Sequence, residues 1–128
     1  MQSYPFFSII IPVRNEEALL DKCLESLEQL DYPKSQLEII ISDGLSTDNT
    51  VGIAKDHKAK IVRNEAQTVA PGRNAGFQHS KGDFIAFSDA DCTMDKNWLN
   101  NALKYFRMDD EKVAGVGGPN LSPGNESP

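Results

Sequence analysis

The sequence is poor in the features that mark several protein classes. It holds two cysteines, Cys23 and Cys92, at no metal-ligand spacing and in no disulfide framework. Cys23 lies among Leu19, Leu20, Leu24 and Leu27, which suits a core thiol, and a reducing compartment is expected. No apolar run approaches the roughly 18–20 residues of a membrane-spanning helix. The first such run, FFSIIIPV, is short, contains a proline and does not read as a secretory signal. A cytoplasmic location is expected, or the cytoplasmic face of a membrane if the full-length protein has membrane helices. Positive charge is also scarce, with 13 Lys+Arg against 19 Asp+Glu and a net charge of −6. That balance excludes the basic face of a nucleic-acid binder and the polybasic cluster of a lipid-surface protein. An anionic ligand would need local positive charge from a metal ion, a few arginines or helix N-termini. There is no Gly-x-Gly-x-x-Gly, no Walker A loop, no Gly-x-Ser-x-Gly and no internal repeat.

What is present is an alternation of strands and helices. At 128 residues and 39% hydrophobic composition, the chain suits one domain with a real core. Apolar runs predict strands over 6–12, 37–44, 59–64, 83–90 and 112–118. Helical spacing predicts helices over 15–30, 46–57, 71–80 and 95–108. Asn15 is the expected N-cap of the first helix, with Glu16 and Glu17 in its first turn. Ser46 or Thr47 would cap the second, and Pro71 suits the first turn of the third. Trp98, Leu99, Ala102, Leu103 and Phe106 would face inward from the fourth. The polar stretch 119–128 reads as a linker or frayed tail. The expected fold class is α/β, a Rossmann-like, doubly wound, mainly parallel sheet. Its strands are unbroken apolar runs, as strands buried on both faces would be. In such folds ligands sit beyond the carboxyl ends of the strands.

Those ends carry Pro12-Val13-Arg14-Asn15-Glu16, Ser42-Asp43-Gly44, Arg63-Asn64 and Asp89-Ala90-Asp91. On an extended strand Asp89 and Asp91 would point the same way, roughly 6–7 Å apart. Two such anions repel by about 2–3 kcal/mol at an effective dielectric near 20. A hard divalent cation, Mg²⁺ or Mn²⁺, would offset that cost; the alternative is an N-cap cluster for the next helix. Asp43 can accept from a base N–H or a ribose hydroxyl, or form an Asx turn, and spacing does not separate these. Arg73 follows Pro71-Gly72 at a helix N-terminus, where guanidinium and amide groups make an anion site. Asn74 and Gly76 extend that segment; the alternative is a solvated surface arginine. Glu17 is explained by the helix dipole alone. His57 and His79 fall near helix C-termini with no evident partner, and neither is assigned a catalytic role.

Several stretches then coincide: FSIIIPVRNEEALLDKCLESL, LEIIISDGLSTDNT, PGRNAGFQHSKGDFIAFSDADC and the later WL. In order and spacing, from about residue 7 to about residue 99, they resemble the nucleotide-sugar-binding half of family 2 glycosyltransferases, which have the GT-A fold. The resemblance implies that Pro12, Val13, Asn15 and Glu16 line a nucleotide pocket and that Asp43 binds the base. It implies that Arg73, with Asn74, helps hold the nucleotide. Asp89-Ala90-Asp91 would be the family's Asp-x-Asp motif, touching ribose and a diphosphate-bound Mn²⁺ or Mg²⁺, with Asp91 the direct ligand. The implied activity is transfer of a sugar from a nucleotide-diphosphate donor, a UDP-sugar in the first instance, with inversion at the anomeric carbon. The acceptor, a sugar, lipid or protein, is not identified.

Departures from the family pattern are the lack of an aromatic residue near Val13 and Arg14, the turn Ser42-Asp43-Gly44-Leu45 in place of a double acid with Gly-Ser, and Cys92. The family's general base belongs to a second half of the domain, and no residue after Gly118 suits that role. Residues 1–118 are therefore read as the donor-binding part of a truncated GT-A domain, the alternative being a short protein that does not carry out the full reaction alone. The exposed sheet edge so left would pair with a second copy. Two other readings stand beside this one. A non-catalytic nucleotide-binding module on the same fold is not separable by sequence. A phospho-accepting receiver domain fits poorly: its third and fifth strands should end in aspartate and lysine, where this chain has Arg63-Asn64 and Gly117-Gly118-Pro119.

Overall fold

The computed structural model describes residues 4–108. The expected strand 112–118, the tail 119–128 and the side chain of Phe106 lie outside the described residues. Four strands, β1 (Phe7–Val13), β2 (Leu37–Asp43), β3 (Lys60–Arg63) and β4 (Phe84–Phe87), form one parallel sheet in the order β3-β2-β1-β4. Helices α1 (Leu20–Glu28), α2 (Thr50–Asp56) and α3 (Val69–Gln78) make the three connections, as parallel pairing requires, and α4 (Trp98–Met108) follows β4.

Strand periodicity sorts the core into two layers. Phe7, Ile9, Ile11 and Val13 of β1 face α1, α2 and α4, where Leu20, Cys23, Leu24, Leu27, Ala54, Trp98, Leu99 and Leu103 are buried. Ile10, with Ile40 and Val62, faces the other side, against Ala75 of α3. A methyl group on Gly76 would collide with Ile10 Cγ2, so α3 lies on β1 because this position has no Cβ. The chain steps from β1 through β2 to β3, then returns past β1 to β4. The switch point therefore lies between β1 and β4. Ser8, fully buried in β1, donates to Glu38 Oε2 at 2.6 Å and accepts from Gly82 N at 2.8 Å, which fixes the approach to β4.

The structure corrects several expectations. Asn15 does not cap α1. It sits at φ 54°, a left-handed conformation that asparagine tolerates. Its side-chain oxygen is taken by Thr47 N at 2.7 Å. The helix starts at Leu20 with Leu19 at the N-cap position, and Leu19 is 45% exposed rather than inward. α2 starts at Thr50 after Asn49, so neither Ser46 nor Thr47 caps it. α3 starts two residues before Pro71. β4 stops at Phe87, and its residues are only partly covered because among the described strands it is an edge. Asp89 and Asp91 therefore do not extend a strand.

Both histidines have partners. His79 Nδ1 lies 2.9 Å from Ala75 O. His57, just after α2, lies 2.7 Å from Asp21 and 2.6 Å from Glu28, both on α1. Burial alone would lower its pKa, but the hydrogen bonds and charges of the two acids raise it above the usual histidine value. The stabilisation from the protonated ring is thus full below the unfolded value near 6.5 and fades as pH rises through the folded one. Thermal melts should show wild type exceeding His57→Gln by more at pH 6 than at pH 8.5. A pH-independent difference would remove the charged staple.

Candidate functional site at the carboxyl ends of β1, β2 and β4

β1 and β2 run in register to their last residues, Val13 opposite Asp43, and Gly44 N donates to Val13 O at 2.8 Å. Ile10 O accepts from Ser88 N at 3.0 Å. Ile10 thus bonds toward β4 and Val13 toward β2. Pro12, in step with Ile10, turns its nitrogen toward β4 just past the last paired residue. Lacking an N–H, it leaves no orphan donor where the sheet opens. Such a crevice is where open α/β sheets hold ligands.

Asp43 is 8% exposed. Its Oδ2 accepts from Ser46 N at 3.2 Å, the Asx-type bond that is one of the two alternatives for it. Among the described residues its Oδ1 is buried without a partner, and so is Ser42 Oγ on the opposite face. An unpaired buried acceptor costs about 1–3 kcal/mol and is an opening for a donor. Asn64, at the end of β3, is buried with its amide committed to Thr68 O at 2.9 Å and Ala66 N at 3.2 Å.

Beyond β4 the chain turns sharply, with Cys92 N donating to Asp89 O at 3.0 Å. This turn, not strand alternation, brings the carboxylates together. Oxygens of Asp89 and Asp91 and the sulfur of Cys92 all lie within 4.8 Å of one another. Asp91 is exposed, Asp89 is partly exposed, and Ala90 and Cys92 are buried beneath them. Two accessible carboxylates at this spacing fit a hard divalent cation that keeps waters and takes ligand oxygens. Arg73 reaches across from α3. Its Nη2 lies 3.9 Å from Asp89 Oδ1, and its guanidinium sits 5.6 Å from the centroid of the Phe87 ring. Arg73 therefore lies beside the carboxylates, with 44% of its side chain exposed. Asn74 is exposed on α3, and among the described residues no hydrogen bond or ion pair brings it into this cluster.

Glu16 joins the same edge. Burial, then the charges of Asp91, Asp48 and Asp89, raise its pKa above the usual glutamate value. Four carboxylates thus share one rim, a field that favours a cation. Beneath it, Cys23 donates to Asp89 O at 3.5 Å, and its thiol is pushed up to about 12, chiefly by burial. Cys23 stays neutral and acts as packing, as its leucine neighbours predict. Sequence reasoning missed Asp48, Thr50 and Phe87. The stretch STDNT signals a helix start, but nothing in it says which loop its side chains will meet.

The family model described as Glycosyl transferase family 2 matches residues 8–125. A relative from Methanococcus voltae, dolichyl N-acetyl-alpha-D-glucosaminyl phosphate 3-beta-D-2,3-diacetamido-2,3-dideoxy-beta-D-glucuronosyltransferase, is 37% identical over 123 residues, covering 88% of this chain and 38% of that protein. The crystal structure of S. aureus TarS 1-349 superposes with a TM-score of 0.76 at 26% identity, covering 88% of this chain and 38% of that one. TarS has also been solved in complex with UDP-GlcNAc. The mannosyltransferase PcManGT from Pyrobaculum calidifontis, in complex with GDP-Man and Mn²⁺, superposes with a TM-score of 0.76 at 26% identity, covering 81% and 33%. The chain spans between 33% and 38% of the length of these proteins.

Proposed function

Since this chain belongs to glycosyl transferase family 2 and has its Rossmann-like GT-A architecture, we propose that residues 1–118 bind the nucleotide-diphosphate portion of a sugar donor together with a divalent cation. The protein would transfer the sugar to an acceptor with inversion. The observation that carries this reading is that the carboxyl edge of one sheet carries an unpaired buried acceptor on Asp43 at the end of β2 and, beyond β4, a carboxylate pair with an arginine beside it.

Each group has a task. Asp43 Oδ1 accepts an N–H of the base, and the bond from Ser46 N holds the carboxylate in place. Pro12 and Val13 form the floor of the crevice, and Asn15 and Glu16 stand on its rim. Asp89 and Asp91 would hold the cation, Mn²⁺ or Mg²⁺, and Ala90 keeps their turn packed on the core. When bound, the cation neutralises charge that grows on the departing diphosphate. Arg73 supplies a second positive charge to the same oxygens from its place between Phe87 and Asp89. The complexes of TarS with UDP-GlcNAc and of PcManGT with GDP-Man and Mn²⁺ support a donor of this chemistry.

Calorimetric titration with UDP, GDP and dTDP, with and without Mn²⁺, tests the reading. Metal-dependent binding of at least one of them is expected. Asp43→Ala should weaken that binding by roughly tenfold, the worth of one charge-assisted hydrogen bond, and leave the affinity for Mn²⁺ alone unchanged. No binding of any nucleotide by folded protein would reject the assignment.

A further inference from the structure

We propose that Thr50 is a positioning residue for the donor site: its buried hydroxyl locks the loop after β1 to the loop after β2, so that the two rims form one pre-set edge. The inference rests on the donor-site reading above. Thr50 has no solvent exposure and is the first residue of α2. Its Oγ1 accepts from Glu16 N at 2.8 Å and donates to Asp48 Oδ1. Asp48 Oδ1 also accepts from Thr50 N at 2.9 Å, and Asp48 Oδ2 accepts from Glu17 N at 3.3 Å. Glu17 returns the contact by accepting from Asn49 N at 2.9 Å. Nearer the strands, Asn15 N donates to Ser46 Oγ at 2.8 Å and Arg14 Nε donates to Gly44 O at 3.1 Å.

Thr50 differs from the other side chains of this zipper because it is the buried one. A hydroxyl donates and accepts through one atom, and here both capacities are used. The peptide it holds also launches α1, since Glu16 O accepts from Leu19 N at 3.1 Å and Leu20 N at 2.9 Å. The same peptide carries the Glu16 carboxyl into the field of Asp89 and Asp91. Removing the hydroxyl leaves the partly buried Glu16 amide without this acceptor and frees the rim.

The test compares wild type, Thr50→Val and Thr50→Ser in calorimetric titrations with Mn²⁺ and with UDP (or whichever of GDP and dTDP the wild type binds), alongside thermal melts. Thr50→Val keeps the shape and should weaken metal-dependent nucleotide binding by about tenfold, while Thr50→Ser restores it. A lower Tm for Thr50→Val with unchanged affinity in the folded protein would mean a purely structural residue and overturn the inference. If Thr50→Val does not fold, Asp48→Ala removes the acceptor shared by the Thr50 hydroxyl and the Glu17 amide and should weaken binding in the same direction; unchanged affinity there overturns it too. Failure of folded wild type to bind any of the three nucleotides overturns the donor-site reading, and this inference with it.

Discussion

Asp91→Asn should abolish most metal-dependent nucleotide binding while leaving the fold as stable as wild type, or slightly more so. The two effects have one cause. Asp89 and Asp91 present oxygens within 4.8 Å of each other. In a largely aqueous setting, two charges at that distance repel by about 1 kcal/mol. Asp91 is exposed, and Glu16 and Asp48 add to the negative field. An amide at 91 relieves that repulsion, so Tm should hold or rise by a degree or two. The same change removes a hard anionic ligand that a divalent cation needs. Loss of an outer-shell partner alone costs 10–100-fold in metal affinity, so a direct ligand should cost roughly a hundredfold or more. Calorimetry with UDP and Mn²⁺ measures the first effect and a thermal melt the second. Full binding by Asp91→Asn would move the cation site elsewhere. A large drop in Tm would make Asp91 a structural residue, against its exposure.

Gly76→Val should be the most damaging single substitution on α3. In an exposed helix, replacing glycine with a residue bearing a Cβ gains up to about 1 kcal/mol of helix propensity. Here the sign reverses. The new Cβ would meet Ile10 Cγ2, and Ile10 has no solvent exposure and nowhere to move. Overpacking of this kind costs about 1–3 kcal/mol, and the branched valine belongs at the upper end. Against a total stability of about 5–15 kcal/mol, a loss of about 3 kcal/mol should lower Tm by roughly 10 °C. The site should suffer as well. Gly72, one turn earlier, lets α3 approach Pro12, and Arg73 follows directly. Lifting α3 from β1 carries Arg73 away from Asp89. A thermal melt and a UDP titration on the variant check both consequences. An unchanged Tm would show that β1 can yield at Ile10.

The sequence was most legible where a long apolar period left one solution. The isoleucines of β1 and β2 cannot sit anywhere but the middle of a sheet, and all seven residues of β1 are buried. Leu20, Cys23, Leu24 and Leu27 recur at helical spacing and form the buried face of α1. Local signals were less reliable at boundaries. Asn15 and Ser46 are good N-caps by type, yet each is consumed by the opposite loop. A short polar side chain satisfies whichever backbone group tertiary structure brings near it. The pairing of His57 with Asp21 and Glu28 was invisible for the same reason, since the partners lie 36 and 29 residues away along the chain.

By itself the sequence determined the alternation of strands and helices, the parallel sheet, and the strand ends at which polar residues gather. It also determined the family resemblance, because those motifs are local and their order is linear. Only the tertiary structure decided how the gathered residues meet. It put Asp89 and Asp91 on a turn rather than a strand, left Asp43 Oδ1 open, placed Arg73 between Phe87 and Asp89, and tied Glu16 to Thr50. Periodicity fixes which face of an element is apolar, and burial then forces the layers together. The choice of partner for each polar atom depends on distances between chain segments far apart in sequence, which no local pattern encodes.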